Sequence, residues 1–158
     1  MTMRIWRSVA LAALLLVGGC ELITGPGEPA RLEEARMLWD RVGPRDYTFE
    51  FTPNCYCALG GQQIRVTVDD GAVIRARMIS TDSPVEAYLF ATIPTVPELF
   101  DIIESAFGRK AHRIEASYDG TYGYPVSVAI DYDPNTIDEE YGFTITGFAS
   151  LEILGTGR

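Results

Sequence analysis

Ile64-Arg65-Val66-Thr67-Val68-Asp69-Asp70-Gly71-Ala72-Val73-Ile74-Arg75-Ala76-Arg77-Met78-Ile79 is the stretch that decides the fold. Ile64, Val66 and Val68 alternate with Arg65 and Thr67, the two-residue period of a strand with one dry face. Asp70-Gly71 is a favoured two-residue hairpin turn, because both residues tolerate positive φ, so Ala72 to Ile79 returns as a neighbouring strand. Immediately upstream, Tyr47, Phe49 and Phe51 alternate with Thr48 and Glu50, which adds a third antiparallel strand. Before that, Leu32, Ala35, Leu38, Trp39 and Val42 recur at helical spacing, and Gly43-Pro44 ends the run, so residues 30–42 read as an amphipathic helix.

Downstream the same grammar is repeated. Residues 80–94 hold Pro84 and Pro94 without a clean period and read as a crossing loop with a short turn around Glu86 to Phe90. Thr95 and Glu98 form a capping box ahead of a second helix, whose apolar stripe is Leu99, Ile102, Ile103, Ala106 and Phe107 and whose end is Gly108-Arg109-Lys110. Three strands follow, marked by His112/Ile114/Ala116/Tyr118, Val126/Val128/Ile130/Tyr132 and Tyr141/Phe143/Ile145. The expected fold class is α+β in two layers: a mostly antiparallel six-stranded sheet with two helices on one face, in the order α-βββ-α-βββ. The halves echo one another, as in Val66-Thr67-Val68-Asp69 and Val128-Ala129-Ile130-Asp131. Internal duplication and the ordinary likeness of any two amphipathic units both account for that.

The whole chain has 158 residues, 47% hydrophobic, with a formal net charge of −9, which suits one globular domain over residues 30–158. With 22 acidic residues against 13 Lys and Arg, the chain lacks the clustered positive charge that a polyanion requires, so nucleic acid is excluded as a partner. A single His removes most hydrolytic triads and multi-histidine zinc sites. No cofactor is called for by the sequence.

Arg4 and Arg7, the uncharged run from Val9 to Val17 and the small residues before Cys20 make an export signal over residues 1–19. The apolar run is about half the roughly 20 residues needed to span a bilayer. Leu16-Val17-Gly18-Gly19-Cys20 resembles the lipobox of bacterial lipoproteins, which implies acylation of Cys20. By the same resemblance, Glu21 in place of Asp leans towards the outer membrane, facing the periplasm. Residues 20–29, rich in Gly and Pro, then read as a lipid-anchored tether that joins the domain to the membrane.

Three constellations are candidates for chemistry. Cys55 and Cys57 are the two thiols that remain once Cys20 is acylated, and in an oxidising compartment they are expected to pair. Residues two apart in a straight strand stand roughly 6.6 Å apart, so the pair needs a bend at Tyr56, which Pro53 and Gly60-Gly61 permit. The bond reads as a local clip or as a redox-active pair, and the redox reading has no Lys, Arg or His within three residues to lower a thiol pKa. Asp131, Asp133, Asn135 and Glu139 place oxygens as a calcium loop does, but Thr136 and Gly142 stand where Gly and Glu belong, so a solvated acidic hairpin competes with a metal site. Tyr56, Tyr122 and Tyr124 sit in Gly-rich connections and are either partner anchors or turn aromatics packed on their own sheet. If the halves share an end of the sheet, these three tyrosines form one patch around the Cys55-Cys57 clip.

Cys55-Tyr56-Cys57, Val66 to Val73, Pro94 to Ile103, Tyr118-Asp119, Gly123-Tyr124-Pro125, Ile130-Asp131-Tyr132 and Asp138-Glu139-Glu140 together resemble the bacterial lipoprotein-type family called domain of unknown function 6174. The resemblance runs from residue 35 to 148 and implies an exported, often lipid-anchored small domain, without an activity to transfer. The longer spacing of Pro and Gly after Asp119 departs from the pattern. The expected function is a lipid-anchored envelope protein that binds or supports an envelope protein partner without catalysis. A thiol-disulfide protein using Cys55 and Cys57, and a calcium-binding envelope protein, are the alternatives.

Overall fold

The fold is described from a computed structural model, over residues 27–136 and 139–151. The expected signal at 1–19, the expected acylation site Cys20, most of the expected tether and Asp138 lie outside the described residues. The elements are α1 (Glu28–Val42), β1 (Tyr47–Asn54), β2 (Ile64–Asp69), β3 (Ala72–Met78), α2 (Ala87–Phe90), α3 (Val96–Gly108), β4 (Arg113–Tyr118), β5 (Pro125–Asp131) and β6 (Tyr141–Ser150). They form one six-stranded sheet in the order β3-β2-β1-β6-β5-β4, with each neighbouring pair antiparallel. The α-βββ-α-βββ order is therefore observed, with the short α2 inside the crossing loop.

The alternation in each strand decides which face is dry. Tyr47, Phe49 and Phe51 of β1 and Ile64, Val66 and Val68 of β2 are buried beneath the helices, while Thr48, Glu50 and Arg65 point to the uncovered face. The helices close the dry face with Leu32, Ala35 and Trp39 of α1 and Val96, Leu99, Phe100, Ile103 and Ala106 of α3. Arg36 of α1 ties the two together by donating to Asp101 Oδ1 and Glu104 Oε1 of α3, both at 2.8 Å. The start of α3 is held twice. The Glu98 carboxylate accepts from the Thr95 N–H and hydroxyl, and the Val96 N–H donates to the Tyr47 hydroxyl at 3.0 Å.

The Asp70-Gly71 turn has φ of 48° and 76°, the positive pair that the hairpin requires. Another left-handed residue, Gly147 (φ 58°), lies where the β1 and β6 registers slip between Thr48 and Glu50. The extra residue breaks the two-residue period of β6, so Phe143 and Ile145 share the dry face not with residue 147 but with Phe148.

The topology decides how the halves are related. Read across the sheet, each half runs third strand, second strand, first strand, yet the first strands β1 and β4 point in opposite directions. With α1 and α3 on the same face, no two-fold axis relates the units: an axis along the strands would move one helix to the other face, and an axis normal to the sheet would reverse the strand order. The expected sharing of one sheet end is thereby corrected. The β1–β2 connection and the β4–β5 connection leave opposite ends.

Candidate functional site

The β1–β2 connection begins where β1 outlives its pairing with β2. Phe51 is the last β1 residue with a β2 partner, whereas Thr52, Pro53 and Asn54 pair only with β6. The chain then turns back on itself. Cys55 and Cys57 are joined by a disulfide with their Cα atoms 5.3 Å apart, shorter than a straight strand gives, so the bend expected at Tyr56 is present. The turn is also held by its backbone: Gly61 N–H donates to Pro53 O at 2.7 Å, Gly60 N–H to Cys57 O at 3.0 Å and Gln62 N–H to Leu59 O at 3.0 Å. A Cβ on Gly60 would run into the Cys55 carbonyl, which explains a glycine at this position. Leu59 is buried and anchors the loop, Cys55 is half-buried, Cys57 is exposed, and Tyr56 between them is 88% exposed.

Both cysteines form one wall of a cleft of about 380 Å³ on the dry face of the sheet. Phe51 and Pro53 of β1, Leu59 of the loop, Leu89 of α2 and Tyr141 of β6 complete it, and Thr92 adds a hydroxyl that already donates to Leu89 O at 2.7 Å. The lining is almost wholly apolar, and burial raises the Tyr141 phenol above its ordinary pKa. Such a concavity takes an aliphatic or aromatic group, and its single sulfur wall gives it a chemical identity. Leu89 and Tyr141 are the residues that sequence reasoning missed. The short turn around Glu86 to Phe90 was legible, but nothing local says that α2 folds over the far end of β1.

The other aromatic loop lies elsewhere. Tyr124 stacks on Phe148 with ring centroids 4.3 Å apart, Tyr122 lies 5.5 Å from the same ring, and Phe148 stacks on Tyr47 at 5.4 Å. Tyr47 opens β1 whereas Tyr56 follows its end, and seven residue steps of about 3.3 Å separate Tyr47 from Asn54, roughly 23 Å. The structure thus does not join Tyr56 to Tyr122 and Tyr124 in one patch. The latter two belong to a cluster with Trp39, Tyr47 and Phe148 that closes the opposite end of the core. Asp119 shapes their turn by accepting from Thr121 N–H at 2.9 Å and Tyr122 N–H at 2.7 Å. Burial raises the pKa of Tyr124, and burial together with the Glu28 carboxylate raises that of Tyr118.

The acidic segment after β5 is partly self-satisfied. The Asp133 carboxylate accepts from the Asn135 N–H at 2.9 Å, the Asn135 side-chain amide at 3.1 Å and the Thr136 hydroxyl at 3.2 Å, and these bonds hold its pKa below the ordinary value. Asn135 therefore turns a donor inward, the wrong end of the amide for a cation. Asp131 Oδ1 and Glu139 Oε1 are each buried without a hydrogen-bond partner. Among the described residues no three His, Cys, Asp or Glu come together in an arrangement that could hold a metal ion.

One family model, of a family of unknown function (DUF6174), matches residues 31–150. No curated protein and no solved structure matches the chain.

Proposed function

The chain belongs to the family of unknown function DUF6174, and on that premise we propose that it is a lipid-anchored bacterial envelope protein whose domain is a non-enzymatic binding module. The anchor is Cys20 in the outer membrane, facing the periplasm, and the module meets an envelope protein through the cleft beside Cys55 and Cys57. The observation that carries this reading is the position of the cleft relative to the incoming chain. The Tyr118 hydroxyl donates to Glu28 at 3.2 Å, so α1 starts beside the last residue of β4. β4 ends at the end of the sheet where β1 begins, and the cleft lies where β1 finishes. An anchor attached upstream of Glu28 leaves the cleft at the end of the sheet away from the attachment point. The tether from Cys20 to Gly27 reaches about 25 Å at full extension, which holds the domain close to the bilayer with that end outward.

The test has two parts. Intact mass of the envelope-purified protein should show residues 1–19 removed and a diacyl and an amide-linked chain on Cys20. A photo-crosslinking residue at position 89 should then capture a partner that the same residue at position 74, exposed on the edge strand β3, does not. A mature chain without lipid refutes the anchor, and equal capture from both positions refutes the cleft as the meeting place.

A further inference from the structure

We propose that Cys55–Cys57 is a reversible dithiol–disulfide couple that exchanges with a cysteine-bearing segment of a protein partner seated in the adjoining cleft. The inference goes beyond the preceding reading by adding an exchange chemistry to the binding module, and it rests on the cleft being where that partner is met.

Three features carry it. First, the loop does not depend on the bond. Its turn is closed by the Gly61-to-Pro53, Gly60-to-Cys57 and Gln62-to-Leu59 backbone hydrogen bonds, by the buried Leu59 and by the pairing of Pro53 and Asn54 with Phe143 and Gly142 of β6. A disulfide across one intervening residue removes little unfolded-state entropy, so the loop survives its opening and can re-form it. Second, the two sulfurs are not equivalent. Cys57 is exposed and Cys55 is half-buried, so an incoming thiolate reaches the residue-57 sulfur first, and access selects which sulfur is attacked. Third, both cysteines line an apolar cleft rather than open water, so the apolar residues flanking a partner's cysteine have Phe51, Leu59, Leu89 and Tyr141 to lie against.

The electrons balance without a further reagent. A partner thiolate attacks Cys57 Sγ, the S–S bond breaks, and Cys55 leaves as a thiolate that takes a proton from water. The partner's second thiolate then attacks its own sulfur in the mixed disulfide, forms the partner disulfide and releases Cys57, which is protonated in turn. Two electrons and two protons pass from the partner dithiol to the couple, and the reverse sequence oxidises a partner.

The test uses the full chain. Oxidised protein is equilibrated in glutathione buffers of increasing reducing ratio, quenched by alkylation and weighed, while circular dichroism follows the fold. The expected result is reversible opening with the folded signal retained. In Cys55→Ser, an activated peptide with a Leu-Cys-Phe centre should form the mixed disulfide at Cys57 about tenfold faster than a peptide with Ser in place of Leu and Phe, the advantage of placing one large apolar side chain in the cleft. Cys57→Ser should trap either peptide more slowly. Opening of the bond only when the chain unfolds, or equal rates for both peptides and both variants, overturns the proposal. The S-methylated Leu-Cys-Phe peptide separates the two readings. Shifts of Leu89 and Tyr141 resonances without exchange of the unblocked peptide leave the binding module standing and remove the redox couple, and absence of both removes both.

Discussion

Tyr47→Phe tests the joint between β1 and α3. The Tyr47 ring is buried, and its hydroxyl accepts from the Val96 N–H at the first turn of α3 at 3.0 Å. Removing that oxygen leaves a buried backbone donor without a partner, which costs about 1–3 kcal/mol at neutral pH. The same hydroxyl supplies a second, independent reading. Desolvation raises the Tyr47 pKa to about 12. The unfolded tyrosine titrates near 10, so the folded chain binds the phenolic proton more tightly. Its contribution is complete below about pH 10 and is lost as pH rises from there through 12; at pH 11 the loss is about 1.4 kcal/mol. Urea titrations of wild type and variant at pH 8 and pH 11 provide the assay. The stability gap between them should be about 1–3 kcal/mol at pH 8 and shrink by about 1.4 kcal/mol at pH 11, because only the wild type has this proton to lose. Tyr118, Tyr124 and Tyr141 titrate in both proteins and cancel in the difference. A gap that is the same at both pH values would refute the burial argument for Tyr47.

Further perturbations separate the devices that hold the sheet. Gly123→Ala puts a Cβ into the Ala35 carbonyl at a φ of 86°, whereas Gly71→Ala at 76° meets nothing; thermal melts should show the first destabilised by more than 2 kcal/mol and the second by about 1. Thr95→Ala removes one donor to Glu98 and should cost about 0.5–2 kcal/mol, measured by urea unfolding. Reducing or deleting Cys55–Cys57 should cost no more than about 1.6 kcal/mol, the loop entropy of a three-residue ring, and a loss of several times that in urea unfolding would show that the bond holds the loop.

Legibility followed the range of the signal. The strands and both long helices were readable because each buries one face and its period repeats over several turns or pleats, and the capping box at Thr95 and Glu98 is present as read. Tyr132 and Arg109 show the limit: their ring-to-cation contact of 4.1 Å joins the end of α3 to the loop after β5, a pairing no local window contains. The same limit hid the cleft. Leu89, in the crossing loop, and Tyr141, at the start of β6, are distant in sequence and line one cleft because β6 lies beside β1. The shared tyrosine patch failed for a topological reason, since a repeat in sequence fixes neither the order nor the direction of strands in the second unit.

One residue explains why the two ends of the sheet differ in kind. At Gly147 the left-handed bulge returns Phe148 to the dry face, where it meets Trp39, Tyr47, Tyr122 and Tyr124 at centroid distances of 4.3–6.0 Å. Without the bulge, the two-residue period would send Phe148 to the uncovered face and leave those four rings without their common neighbour. That end is therefore filled by interlocked aromatics and the start of α1, with Gly123 pressed against the α1 backbone. At the other end β1 outruns β2, and the space is covered by a four-residue helix and a disulfide loop. A rigid end carries the fold and an underfilled end leaves apolar walls open to a partner, the division a binding module needs. Tyr122 and Tyr124 thus belong to the framework, and Tyr56, left in solvent beside the cleft, is the member of the expected trio whose removal should weaken partner binding while leaving the thermal midpoint unchanged.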